Sequence, residues 1–277
     1  MIKSVIINYI ENLKKVIRSY NNPLKRKENI SLKDKLEMQF YDEEAEKYLN
    51  NFDENLFRYD ENEEMPLTHQ YFYSLLENIK DKMILDCCCG HGFASVKCAK
   101  RGARVTGIDI SPKMIQLAKK NAQFNNVANY TNFEVMSAQK MNFKDEQFDY
   151  VIGIGALHHL NLEFAAKEIS RVLRPEGRGI FIEPRIPFKW LIFIRSLFPN
   201  KCFESPGGSQ LNEKDLELFL NHFSQFHFEY FMFLKKLSRF PLFNKVDKQL
   251  DKIDSWLIKK LPHLKLFYWA FVLEVIK

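Results

Sequence analysis

The chain has 277 residues, 46% hydrophobic and 27% charged, an ordinary globular balance that excludes wholesale disorder. Ten Gly and ten Pro exclude a collagenous or low-complexity protein. The net charge of +6 is uneven: residues 1–35 carry nine Lys/Arg against three Asp/Glu, and residues 36–82 carry four against thirteen. Basic ends can touch anionic lipid or nucleic acid, but a solvated Lys-rich surface is the plainer reading.

No apolar run approaches the ~20 residues of a membrane span. The first twenty residues have scattered charges and no small-residue cleavage site, so they do not read as a secretory signal. Four of the five cysteines (Cys87, Cys88, Cys89 and Cys98) crowd one short stretch. Adjacent cysteines suit neither a disulfide framework nor a metal site, and a reduced, cytoplasmic chain without metal is expected.

Three zones follow in chain order. Residues 1–80 read as a helical extension. Ile2, Val5, Ile6, Tyr9, Ile10, Leu13, Val16 and Ile17 recur on one helix face before Asn21-Asn22-Pro23 breaks the pattern. A second amphipathic helix is predicted from Ser31 to Leu49, with Ser31 and Asp34 as its capping pair, and a third over Thr68–Ile79. Residues 81–184 alternate strand candidates (Met83–Cys87, Arg104–Ile108, Thr131–Val135, Phe148–Ile152, Gly179–Glu183) with helical stretches (Phe93–Lys100, Pro112–Asn121, Leu162–Leu173). Such alternation predicts an α/β fold, a parallel sheet with helices on both faces. Residues 185–277 begin with an aromatic, Pro-broken insertion ending in Pro206-Gly207-Gly208. A helix over Leu211–Phe223 follows, then strand candidates Phe226–Leu234 and Leu266–Ile276 around a Lys-studded helix, Val246–Leu261. The two strands are expected to pair antiparallel at the sheet edge.

The sharpest local signal is Leu85-Asp86-Cys87-Cys88-Cys89-Gly90-His91-Gly92, where a strand ends and a helix begins. Small residues there let the backbone turn tightly and bring N–H groups against a ligand. Asp109 stands at the end of the next strand, where a carboxylate can accept both hydroxyls of a ribose. Ser111-Pro112 then reads as a helix N-cap with Pro at the first helical position. A dinucleotide fingerprint would need a third glycine where Phe93-Ala94-Ser95 stands, and a triphosphate loop would need Lys followed by Ser or Thr.

With these segments the chain resembles the class I S-adenosylmethionine-dependent methyltransferases, most closely the group around quinone-biosynthesis and other small-molecule enzymes. The resemblance covers roughly residues 38–184, and the C-terminal strands more loosely. It rests on QFYDEEA at 39–45, LDCCCGHG at 85–92, GIDISPKMI at 107–115, MSAQKMNF at 136–143, FDYVIGIGALHHL at 148–160 and EISRVLRPEGRGIFIEP at 168–184. It implies a Rossmann-like, seven-stranded, mostly parallel sheet with an antiparallel C-terminal strand, preceded by the N-terminal helical extension. It also implies S-adenosyl-L-methionine as cofactor. Gly90 and Gly92, with Cys88 at the first small position, would approach the methionine part, and Asp86 would sit beside it. Asp109 would hold the ribose, and Ile110 and Met114 would flank the adenine. Ala138 and Gln139 would contact the adenine edge, Gly153 would lie under the sulfonium, and Tyr41 and Phe40 would offer aromatic faces to the positive charge. Two positions depart from the family: Cys88 replaces a glycine, and Ser137 replaces the acid that recognises the adenine amino group.

Methyl transfer needs mainly orientation and exclusion of water. An acceptor with a proton to lose needs a base as well. His158 and His159 follow the fourth strand, where acceptors approach, and imidazole titrates near neutrality. The plainer reading is that they shape the pocket. Glu183 is a further catalytic candidate, its plainer reading being a charge facing solvent at a strand end. Phe188–Phe198 is expected to roof the acceptor pocket, with peripheral membrane contact or plain core as alternatives.

The Pro-Pro-aromatic loop of nucleic-acid amino methylation, the Pro-Cys nucleophile of cytosine-carbon methylation and the paired-glutamate loop of arginine methylation are absent. No RNA-binding module is attached. The expected acceptor is therefore a small, hydrophobic or aromatic metabolite methylated on O, N or C. DNA is not an expected partner and RNA is disfavoured. A non-catalytic protein that binds the cofactor is the rival reading.

Overall fold

The computed structural model describes residues 32–185, 211, 213–231, 247–261 and 268–277. The predicted first helix, Ser31 and the Phe188–Phe198 roof lie outside the described residues.

The strands predicted from apolar runs form one seven-stranded sheet: β1 (Met83–Cys87), β2 (Arg104–Asp109), β3 (Thr131–Val135), β4 (Phe148–Ile154), β5 (Leu173–Pro184), β6 (Gln225–Phe231) and β7 (Ala270–Ile276). Their spatial order is β3-β2-β1-β4-β5-β7-β6. Strands β1 to β5 pair in parallel. Strand β7 runs antiparallel between β5 and β6, so the pairing at the sheet edge is the one expected from the sequence.

Side chains alternate across the sheet and build two cores. Ile84, Val105, Ile152, Ile180 and Val272 share one cluster with Ala94, Val96 and Cys98 of α4 (Phe93–Lys100), Ile115 and Ala118 of α5 (Pro112–Phe124) and Phe72 of α3 (Leu67–Ser74). Leu85, Val151, Phe181 and Leu273 face the other way, onto Ala165 and Ile169 of α6 (Leu162–Val172) and Phe219 of α7 (Glu213–Leu220). Burial on both faces explains the near-continuous apolar runs of these strands.

Helix α1 (Leu32–Asn50) packs on α5 through a third cluster, in which Ala45 and Phe57 meet Met114 and Leu117. Phe57 closes a four-residue helix, α2 (Glu54–Phe57), capped by Asp53. The helix α8 (Asp247–Lys260) precedes β7.

Some boundaries differ from the sequence reading. The helix expected over Thr68–Ile79 ends at Ser74, and Leu76 and Ile79 stay buried in the loop that follows. Their apolar spacing reflects core contact without a continuing helix. Strand β5 begins at Leu173, immediately after α6, and is irregular where it meets Phe148 and Tyr150. No helix among the described residues is long and apolar enough to cross a membrane.

Candidate functional site

The site gathers at the C-terminal ends of the parallel strands, where the order reverses between β1 and β4. After β1 the chain alternates small positions. Cys88, Gly90 and Gly92 all take positive φ, at 55°, 50° and 77°. A Cβ on Gly90 would meet nothing within 4 Å, so that face of the turn is open. A Cβ on Gly92 would press Ala118 at 3.0 Å and Phe133 at 3.2 Å, so this glycine lets α4 pack on α5 and β3. Cys88 occupies the left-handed region with a side chain, which costs about 1–2 kcal/mol.

Asp109 lies at the tip of β2, within reach of that turn. Its Oδ2 accepts the Gly90 N–H at 3.0 Å and its Oδ1 accepts the Ser111 N–H at 2.9 Å. Each oxygen keeps a lone pair for a further donor. The residue is 8% exposed, and burial raises its pKa while the backbone donors at Ser111 and Gly90 lower it.

Asp86, 2% exposed, is the deeper acid. Its carboxylate accepts the Ser95 hydroxyl at 2.6 Å, and desolvation raises its pKa to about 7. An acid buried at this cost is a candidate partner for a ligand cation.

Helix α1 crosses the mouth and ties three loops together. Asp42 accepts the Ser111 hydroxyl at 2.6 Å and the Lys113 N–H at 3.1 Å, which adds a second cap to α5. Asp34 accepts from Gln139 at 3.3 Å. Glu37 lies 3.3 Å from His159 Nδ1, and the Tyr41 hydroxyl lies 3.1 Å from His159 Nε2. The Tyr41 and His159 rings meet edge to face, and the His158 ring lies 3.9 Å from that of His159.

Several predicted contacts are engaged elsewhere. The Ser137 hydroxyl accepts the Gln139 N–H, closing its own turn. Gln139 uses its amide on Asp34 and its carbonyl on the Asn161 N–H. Ala138 and Met114 are buried in apolar clusters, while Ile110 is partly exposed beside Asp109. Gly153 sits in β4 with the space for a Cβ filled by Ala156 and Phe181. Glu183 does not face solvent, because its carboxylate is fully buried against the loop after β4.

Glu37, Asp42 and Ser95 were missed as site residues by sequence reasoning. The signal for Glu37 was its spacing of four from Tyr41, which puts both on one helix face. Ser95 stands one turn into the helix that Asp86 precedes, and nothing in its own type marks it.

Residues 85–181 match the methyltransferase domain family. The chain is 36% identical over 134 residues to a demethylmenaquinone methyltransferase of Chlorobaculum tepidum, covering 45% of this chain and 52% of that protein. It is 33% identical over 147 residues to an uncharacterised methyltransferase of Synechocystis, covering 51% of this chain and 66% of that one. The first match is typical, in that the chain spans about half the length of the curated relatives it matches. In fold it is similar to phosphoethanolamine N-methyltransferase 2 of Haemonchus contortus (TM-score 0.58, 18% identity, 91% of this chain and 61% of that one). It is also similar to geranyl diphosphate C-methyltransferase of Streptomyces coelicolor (TM-score 0.54, 14% identity, 85% and 97%).

Fold and turn define a Rossmann-like methyltransferase domain. In fold and in the match over residues 85–181 the chain is similar to the class I S-adenosylmethionine-dependent methyltransferases. The residues fit that cofactor: the open face at Gly90, the lone pairs left on Asp109 and the buried Asp86 carboxyl suit its amino-acid tail, its ribose and its ammonium.

Proposed function

We propose that this chain transfers a methyl group from S-adenosylmethionine to a small, apolar or aromatic acceptor. The observation that carries the reading is the Asp109 carboxylate, held by the Gly90 and Ser111 N–H groups beside the open face of the turn. The cofactor supplies a methyl group already activated on a positively charged sulfur. The protein's part is to grip, orient and keep water out. Asp109 holds the ribose, and Asp86 gives up its proton to pair with the ammonium. Tyr41, tied to His159, covers the mouth from α1.

The acceptor class is supported by relatives whose names specify demethylmenaquinone and a sterol, and by the aromatic content of residues 185–277. The reduced state of Cys87, Cys88, Cys89 and Cys98 suits a cytoplasmic setting. A second reading, a protein that binds the cofactor without turnover, is favoured by Ser137, whose hydroxyl closes its own turn. S-adenosylhomocysteine release measured over a panel of quinols, phenols, sterols and phosphoamines separates the two. Turnover with any member supports the enzyme. Tight cofactor binding with no turnover across the panel supports the binding protein.

A further inference from the structure

His91 stands between Gly90 and Gly92 in the turn that faces the cofactor. Its carbonyl accepts the Asn121 Nδ2–H of α5 at 2.9 Å, and the next N–H, that of Gly92, donates to the Cys89 carbonyl at 2.9 Å. Both ends of one peptide unit are thereby held. Asn121 Oδ1 in turn accepts from Asn125 Nδ2 at 2.7 Å, at the end of the helix. Asn125 Nδ2 also reaches the Phe57 carbonyl at 2.8 Å and the Asn121 carbonyl at 3.0 Å, and Asn125 Oδ1 accepts the Tyr59 N–H at 2.8 Å. Two buried amides thus run from residues 57–59, which lie beyond α1, to the turn. Their sense is fixed. The Tyr59 N–H needs the Asn125 oxygen, so the Asn125 NH2 faces Asn121, and the Asn121 NH2 is left for the His91 carbonyl. The Phe57 ring also meets the His91 ring edge to face, with centroids 5.5 Å apart. Asn121 lies on the inner face of α5 among Leu117, Ala118 and Ala122, all buried and apolar. An amide there costs free energy unless it is bonded, and its bonds go to the turn and to Asn125.

We propose that Asn121 is a positioning residue: it sets the Gly90–Gly92 turn for the cofactor and, through Asn125, couples that setting to the seating of residues 57–59. The inference rests on the assignment of this turn to S-adenosylmethionine and adds a dependence that the assignment does not contain. While Phe57 and Tyr59 sit on Asn125, the Asn121 amide is oriented and the His91 carbonyl has its donor. When they leave, Asn121 loses the partner that orients it and the turn loosens. The seated form therefore binds the cofactor better, and binding must stabilise seating by the same factor. Helix α1 crosses the mouth and is joined to residues 57–59 through α2, so the cofactor that fills the turn also fastens the cover over it.

The test is calorimetric affinity for S-adenosylhomocysteine in Asn121→Leu, Asn125→Leu and the double variant. Asn125 lies one helical turn beyond Asn121 and outside the cofactor turn. Its replacement should still weaken binding about 3- to 10-fold, the span of one neutral hydrogen bond. Asn121→Leu should weaken it at least as much, and the double variant no more than Asn121→Leu alone. Independent effects would multiply instead. Hydrogen exchange at the Tyr59 N–H is the second measurement. Saturating S-adenosylhomocysteine should slow it in the wild type by the factor that Asn125→Leu loses in affinity, and should leave it unchanged in Asn121→Leu. Wild-type affinity in folded Asn125→Leu, multiplied losses in the double variant, or Tyr59 exchange in the wild type that ignores the ligand overturns the inference. The last result needs no variant to fold. A wild type that does not bind S-adenosylhomocysteine overturns the cofactor assignment itself, and the inference with it.

Discussion

Replacing Asp86 with Asn tests whether this site stores a buried acid at the expense of stability. In the unfolded chain an aspartate ionises near pH 4. In the folded chain desolvation holds the Asp86 proton up to about pH 7. Between these values the folded state binds the extra proton. The stability associated with it is complete below about pH 4 and is lost as pH rises through 7. At about 1.4 kcal/mol per pH unit, the loss reaches roughly 4 kcal/mol above pH 7. Asn keeps the shape and can still accept the Ser95 hydroxyl, but it does not ionise. Urea unfolding at pH 5, 6, 7 and 8 should therefore show the variant gaining on the wild type with pH, by about 2–4 kcal/mol at pH 8. Asp109 is shifted in the same direction but is present in both proteins, so the difference isolates Asp86. A difference that stays flat from pH 5 to 8 would refute the reasoning. The same acid should make wild-type cofactor affinity rise with pH up to about 7, since the ammonium pairs with the ionised form.

Other expected outcomes follow from the turn and its cover. Gly92→Ala meets Ala118 and Phe133 and takes positive φ, so it should lose about 2 kcal/mol or more in thermal or urea unfolding. Gly90→Ala has room for its methyl and carries only the backbone strain of about 1 kcal/mol. It should nevertheless weaken cofactor binding, because the methyl enters the open face. Equal stability losses in the two would count against the assignment of that face. Asp42→Ala removes the acceptor for the Ser111 hydroxyl and the Lys113 N–H, and a loss of about 0.5–2 kcal/mol is expected by urea titration.

The sheet was legible because β1, β2, β4, the second half of β5 and β7 are largely buried on both faces and so read as apolar runs. Helix α4 was predicted at its observed bounds, since Gly92 starts it and Arg101-Gly102 ends it. The Asp86–Gly90–Asp109 geometry was equally legible, because a strand-end turn and the next strand's tip are neighbours in any parallel βαβ unit. Long-range partners were not. Nothing local says that Glu183 turns inward to two backbone N–H groups and the His158 ring in a loop 25 to 27 residues earlier, or that Ser137 closes its own turn. Their residue types fit either surface or core, and only the packing of β5 on β4 and of α1 across the mouth decides between them.

Calorimetric titration of S-adenosylhomocysteine into the wild type and Asp109→Asn is the most direct test of how the cofactor is held. Asn leaves one oxygen to accept and sets an amide against the other backbone N–H, which removes one charged acceptor for a ribose hydroxyl. At about 1.5–3 kcal/mol for such a bond, affinity should fall about 10- to 150-fold from a one-to-one wild-type complex. Equal affinity in the two proteins would contradict the central role given to Asp109.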